Sequence, residues 1–331
     1  TTIFTGITPV QVYVSIFMGA FGTARKTWIT FQNVAILLLI SLALTPAFRM
    51  RFWNIGGEGQ FIMGAICAAA AAHKLGPVLP QPLVVLVMAL CGILGGGLYG
   101  LIVALLKVRY NTNETLLTLM LNYIALYLLQ FLGETKAGWN FFLDPDSARP
   151  KFAGFPDNAD MITFPLGPFN LNLSLIIAIV LCVLLFGYLK YTKHGYEIAV
   201  VGESRRTASY AGIKVDRVII RTMALSGALC GLIGLLLTSS TDHTMTTTIV
   251  DGRGFTAVMV SWMAKFNPVI MIFVSLLLVV LSRGASEIST AFGLNRSFSD
   301  ILTGIILFFI IGCEFFINYK VQFRSSGKKE A

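Results

Sequence analysis

Asn54-Ile-Gly-Gly-Glu58-Gly-Gln60 sets one carboxylate and two carboxamides close together inside the stretch FWNIGGEGQFIMGAICAAAAA at 52–72, which carries no other formal charge. Ionising a carboxylate at membrane depth costs roughly 2.5–3.5 kcal/mol on insertion scales, so it needs a partner, a water-filled cavity or a proton. The glycines around it let backbones approach closely or the helix break, and a membrane tolerates a break only against protein or a cavity. A second polar pair, Asn113-Glu114, opens the stretch TLLTLMLNYIALYLL and puts Asn122 about two turns inside a helix. Together Asn54, Glu58, Gln60 and Asn122 supply amide and carboxylate groups suited either to bonds between helices or to a polyhydroxylated or heterocyclic solute. With Met63 and Ser261 they form our candidate lining of a transport path. Glu58 is expected to face protein and fix the broken start of its own helix, accepting from backbone N–H groups or Gln60.

No catalytic set accompanies them. His73, His194 and His243 make no H-E-x-x-H pair, and neither a G-x-S-x-G elbow nor a G-x-x-x-x-G-K-[ST] phosphate loop occurs. Any ATP-driven work therefore falls to another subunit. Cys67, Cys91, Cys182, Cys230 and Cys313 lie in apolar segments without metal-ligand spacing and read as core residues. Glu314, a further carboxylate in an apolar segment, reads as a solvated helix end.

The elements that must position these groups are membrane helices. The 331 residues are 56% hydrophobic and 12% charged with a mean hydropathy of +0.77, whereas a soluble domain is roughly 25% charged. Apolar windows near the roughly 20 residues needed to cross a bilayer recur. They fall at 31–48, 52–72, 82–106, 116–132 and 171–189, with further spans centred on 223–237, 268–282 and 301–317. The alternation of a barrel strand is missing. The net charge of +9 comes from basic residues that flank apolar spans, chiefly at 190–221 and 324–329, so it reports topology rather than nucleic-acid binding.

Taking 190–221 as cytoplasmic, the spans before it alternate in agreement with Lys107, Arg109, Arg49 and Arg51 at inner ends. The irregular loop 134–170, of polyproline and turn character, is then extracytoplasmic, and so is 1–27, which calls for one earlier span. Keeping Arg324, Lys328 and Lys329 inside requires 254–265 (GFTAVMVSWMAK) to be a short, broken segment. Gly92, Gly95, Gly96 and Gly97, with the pairs Gly96/Gly100 and Gly227/Gly231, point to closely packed helices. Segment 194–216 (HGYEIAVVGESRRTASYAGIKVD) breaks the hydropathy pattern with a short small-residue-rich helix at 204–211, a candidate docking knob for a cytoplasmic partner.

NIGGEGQ at 54–60, NETLLTLMLNYIALYL at 113–128, GYEIAVVGESRRTASYAGI at 195–213 and GFTAVMVSWMAKFNP at 254–268 resemble the permease subunits of bacterial ATP-binding-cassette importers. The resemblance is to the nucleoside branch of the simple-sugar and branched-chain amino-acid permeases, and it covers nearly the whole chain in the family's order. Gly57 stands where a bulkier residue is common in the family. The resemblance implies an all-α polytopic transmembrane bundle of the type II importer kind, a single permease domain over 1–331 with about nine membrane segments here and one further N-terminal span. It implies alternating-access import of nucleosides, no enzymatic activity or cofactor in this chain, and ATP and Mg on a separate ATPase. Glu203, Ser204, Arg205, Arg206, Ala208, Ala211 and Gly212 would couple to that ATPase. Further implied partners are a second, paralogous permease chain, an extracytoplasmic solute-binding lipoprotein and membrane lipid, with no nucleic acid, in the bacterial inner membrane. The rival readings are a proton-coupled secondary transporter, which would suit Glu58 but usually shows internal repeats, and an intramembrane enzyme, for which no convergent nucleophile or metal set is present.

Overall fold

The computed structural model describes residues 9–161, 163–166, 169–239, 243–293 and 295–318. Helices make up most of it: α1 (Pro9–Phe21), α2 (Ala24–Arg49), α3 (Gly57–Leu75), α4 (Gln81–Tyr110), α5 (Glu114–Glu134), α6 (Leu173–Tyr191), α7 (Lys193–Glu203), α8 (Arg205–Tyr210), α9 (Val215–Leu237), α10 (Arg253–Met263), α11 (Pro268–Ala291) and α12 (Arg296–Asn318). Among the described residues, six helices are long and apolar enough to cross a membrane: α2, α4, α5, α6, α9 and α11. The Lys and Arg cluster at 324–329 lies outside the described residues.

The contacts divide the chain into two units, Thr1–Thr30 with Leu277–Ala331, and Phe31–Leu276. In the first, α1 meets the second half of α11 where both are small. A Cβ on Gly284 would lie 2.6 Å from Ile16 Cα, one on Gly19 2.7 Å from Glu287 Cβ, and Lys26 Nζ pairs with Glu287 Oε1 at 2.7 Å.

The second unit is built around α3, α4 and α9, whose mutual packing is the most extensive among the described residues. Glycine permits it. A Cβ on Gly231 of α9 would sit 2.0 Å from the Gly92 carbonyl oxygen, one on Gly96 2.3 Å from that of Gly227, and one on Gly64 of α3 2.2 Å from Gly231 Cα. Backbone thus touches backbone along this seam, the association mode available where lipid removes the hydrophobic drive between helices. The outer faces of α4, α5 and α6 carry exposed Leu, Ile, Val and aromatic side chains, including Leu94, Leu98, Ile124, Tyr127 and Val183.

Loop 134–170 is more ordered than a polyproline and turn cap. It contains a 3-10 turn at Asp157–Ala159 and an antiparallel hairpin, β1 (Thr163–Leu166) with β2 (Phe169–Asn172), in which Thr163 faces Asn172 and Leu166 faces Phe169. Strand pairing satisfies backbone groups that an irregular loop would leave to water. Before the hairpin, Phe142, Leu143, Phe152 and Phe155 are buried, and His73 of α3 stands edge-on to Phe142 and Phe155. One cysteine departs from the core reading: Cys313 is exposed on α12, an apolar helix whose outer face also shows Phe308, Phe309 and Phe316.

Candidate solute path and coupling surface

The 52–72 window is not one helix. After Arg49 the chain closes a Schellman turn, in which Phe52 N–H donates to the Ala47 carbonyl at 3.0 Å and Arg51 N–H to that of Phe48 at 2.8 Å, with Arg51 left-handed at φ 55°. Helix geometry resumes only at Gly57. Between the two, backbone donors and acceptors lose their helical partners where little water can replace them. The polar residues singled out in the sequence take their place. Asn54 Oδ1 accepts from Gly56 N–H at 3.1 Å and from Gln60 Nε2 at 3.2 Å, while Asn54 Nδ2 donates to Gln60 Oε1 and Ser226 Oγ, both at 3.3 Å. From α5, Asn122 Oδ1 accepts from Gly59 N–H and Nδ2 donates to the Ile55 carbonyl, both at 2.8 Å. Asn113 caps α5, accepting from the N–H groups of Thr115 and Leu116, so Asn122 is presented at a fixed height.

Glu58 does not secure its own helix as expected. Its Oε1 accepts from Gly254 N–H of α10 at 3.1 Å, and Gln60 is engaged by Asn54 instead. The approach is close enough that a Cβ on Gly254 would meet Glu58 Cγ at 2.1 Å. The N-cap of α10 is Gly252, which has no side chain to satisfy the first N–H groups, and the carboxylate from α3 serves that positive helix end. The short α10 is anchored in its last turn by Ser261, whose hydroxyl is shared between the Ser41 carbonyl of α2 at 3.0 Å and the Ala257 carbonyl at 2.9 Å. Asn54, Gln60 and Ser261 are therefore buried with protein partners, Asn122 is nearly so, and Glu58 and Met63 are half-buried.

An aromatic cluster that sequence reasoning missed lies beside the break. Trp53 and Trp262 stack with centroids 5.1 Å apart and planes 18° from parallel. Phe48 meets Trp53 and Trp262 edge-on at 6.5 and 6.0 Å and stacks on Phe266 at 6.4 Å. Phe48, Arg51, Phe52, Trp53 and Trp262 line a partly open hollow of about 100 Å³. The signal in the sequence was a repeat of aromatic-x-x-basic-Phe, at Phe48 to Phe52 and Trp262 to Phe266.

The basic loop folds as two helices. Thr192 Oγ1 accepts from Gly195 N–H to cap α7, and Ser204 Oγ accepts from Thr207 N–H to cap α8. Glu203, Arg205, Arg206, Ala211 and Gly212 are exposed and Ser204 is half-buried, but Ala208 is not available to a partner. It is fully buried in a cluster with Met50, Phe52, Ile198, Val201, Val218 and Met223. A helix this short holds its place only by burying one apolar residue in its own chain. Tyr210, 91% exposed, is the outward aromatic that sequence reasoning overlooked. The α7–α8 segment rests on the end of α2: a Cβ on Gly202 would lie 2.2 Å from the Arg49 carbonyl oxygen. Glu197 of α7 pairs with Arg221 of α9 at 2.8 Å, and Lys107 of α4 with Glu114 of α5 at 2.5 Å.

Apolar spans, a broken helix with internally satisfied polar groups and a half-length helix define a polytopic transport protein. The model of a family described as the permease component of the branched-chain amino acid transport system matches residues 29–311, and the chain belongs to that family. It is 29% identical to the nucleoside ABC transporter permease protein NupB of Lactococcus lactis over 92% of this chain and 84% of the relative. It is 26% identical to the guanosine ABC transporter permease protein NupP of Bacillus subtilis over 94% and 86%. It is also 26% identical to the glucose ABC transporter permease protein TsgB13 of Haloferax volcanii over 95% and 83%. The chain is thus a membrane permease subunit of an ABC importer.

Proposed function

We propose that this chain moves nucleosides inward across a bacterial inner membrane by alternating access, driven by ATP and Mg on a separate ATPase. The observation that carries this is the break between α2 and α3, tied by Glu58 to a half-length α10, in a family of permease components. Buried irregular backbone holds its shape only where protein groups satisfy its donors and acceptors. Nucleosides are favoured by two relatives that carry nucleoside or guanosine in their names and cover nearly the whole chain. A neutral solute also suits a lining that offers amides and no cage of paired charges.

In this reading the path runs beside α3, α5 and α10. Asn54, Gln60, Asn122 and Ser261 are its frame, while Glu58 and Met63 lie nearest its surface. Exposed Glu203, Arg205, Arg206, Ala211, Gly212 and Tyr210 meet the ATPase on the cytoplasmic side, with Ser204 holding their helix. Loop 134–170 faces a solute-binding lipoprotein outside. The chain contributes about nine membrane segments, and it pairs with a paralogous permease. A second Lactococcus permease, NupC, is likewise similar to this chain at 26% identity over 68% of it, which supports a pair of unlike permeases.

Reconstituted with its co-purified partners in proteoliposomes, the assembly should import labelled inosine when ATP is supplied on the ATPase side, and collapse of the proton gradient should not stop it. Import that follows the proton gradient without ATP would instead establish a secondary carrier.

A further inference from the structure

We infer that the hollow lined by Phe48, Arg51, Phe52, Trp53 and Trp262 is a subsite for the planar heteroaromatic base of the solute, at the inner end of the path. This rests on the nucleoside reading above and specifies which part of the solute the permease holds. Trp53 and Trp262 are 46% and 38% exposed although each already stacks on the other, so both indoles keep ring surface for a further flat group. Indole faces bind purines and pyrimidines alike, since every base has a π face. Arg51, exposed at the rim, brings five N–H donors for the carbonyl oxygens and ring nitrogens along a base edge. The hollow, about 100 Å³ and partly open, is smaller than an enclosed ligand pocket and takes only part of a planar base, with the sugar left in water.

The backbone around the hollow carries strain of the kind that accumulates at ligand clamps and switches. Among the described residues six that are not glycine have positive φ, and three of them are here: Arg51 at 55°, Lys265 at 47° and Phe266 at 60°. Arg51 and Lys265 occupy matching places. The end of α10 repeats the turn that ends α2, with Phe266 N–H donating to the Ser261 carbonyl at 3.0 Å and Lys265 N–H to that of Trp262 at 2.9 Å. Each turn uses a basic residue where glycine would be unstrained. Among the described residues neither cation has an ion-pair partner. Aromatic residues at a membrane interface usually stand as separate anchors. Here four rings from two stretches of chain are packed on one another, and the α7–α8 segment bears on the same helix end through Gly202. Movement of that segment would therefore open or close the stack.

The test uses the complete assembly in nanodiscs of neutral lipid, read by tryptophan fluorescence and by ATP-driven import after reconstitution. Inosine should quench the fluorescence and ribose should not. Replacing both Trp53→Leu and Trp262→Leu, which keeps apolar volume but removes the stacking faces, should abolish the quench and lower inosine import by roughly tenfold or more. The pair Trp53→Phe and Trp262→Phe should keep most of both. If the Leu pair fails to assemble, Arg51→Gln takes its place and should weaken the inosine titration while leaving the rings intact; an unshifted titration would overturn the subsite. A Leu pair that imports inosine like the parent protein also overturns it and leaves the nucleoside reading standing. A parent assembly that imports no nucleoside overturns both. Quenching by phosphatidylglycerol in the nanodisc and not by inosine assigns the hollow to an anionic lipid headgroup instead.

Discussion

Glu58 caps a distant helix through Gly254, 196 residues further along the chain. Sequence reasoning recognises that a carboxylate in such a stretch needs a partner, but a partner this distant leaves no local trace. The bond is testable by its asymmetry. Glu58→Ala leaves the Gly254 N–H unsatisfied and should cost about 1–3 kcal/mol, whereas Glu58→Gln keeps an acceptor and should cost less. Gly254→Ala drives a methyl group into Glu58 and should destabilise as much as Glu58→Ala. Thermal unfolding of the purified assembly checks all three, and equal midpoints for Glu58→Ala and the parent protein would show that the cap is not made. Asn122 differs in kind. Its single amide satisfies two backbone groups, at Gly59 and Ile55, and an apolar replacement would leave both without that partner.

At the scale of elements, the seam of α3, α4 and α9 is fixed by glycine, and glycine density on α4 is its visible sign. Gly231→Val should lower the unfolding midpoint sharply, because overpacking costs about 1–3 kcal/mol even where side chains can shift, and backbone carbonyls cannot. Gly187→Ala on α6, with nothing within 4 Å, should be neutral or slightly stabilising. A seam variant as stable as the Gly187 control would mean the helices do not approach this closely. The coupling segment yields a similar contrast. Replacing Tyr210 and Arg206 with Ala should leave the permease folded and reduce solute-stimulated ATP hydrolysis roughly tenfold, as loss of exposed anchors does. Ala208→Glu should instead unfold the segment itself, since it buries a carboxylate among Met50, Phe52 and Ile198. The measurement is ATP hydrolysis normalised to assembled complex. Normal assembly with Ala208→Glu would refute the inward placement.

At the scale of the molecule, the break, α10, the aromatic hollow and the coupling segment all belong to the unit Phe31–Leu276. They form a continuous route: α7 and α8 bear on the end of α2, that end leads into the break, and the break is joined to α10 through Glu58. Under the proposed function, such a route would give an ATPase beneath α8 a mechanical hold on the path. In a background without native cysteines, Met63→Cys should react with a small aqueous thiol reagent, and its rate should change when ATP is bound. Asn54→Cys and Ser261→Cys, at positions buried within the frame, should react only in a state that opens the break. Equal, ATP-independent reactivity at all three positions would place the path elsewhere.

Membrane class, six of the eight apolar windows, the short segment near 254–265 and the need of the NIGGEGQ polar groups for partners were legible in the amino-acid sequence. They depend on local quantities: apolar run length, charge placement, and polar groups that hydrocarbon will not solvate. The hairpin in loop 134–170 was not legible, because its stability lies in pairing between backbones and not in composition. Nor was the inward turn of Ala208, since a six-residue helix has no periodicity long enough to mark a buried face. The partners of Asn54, Glu58 and Asn122, and the meeting of Phe48 with Trp53, Trp262 and Phe266, were decided only by the tertiary structure. Hydrogen bonds and ring contacts of that kind have a range of a few ångströms in space and none along the chain, so only the packing of the helices can say which residues they join.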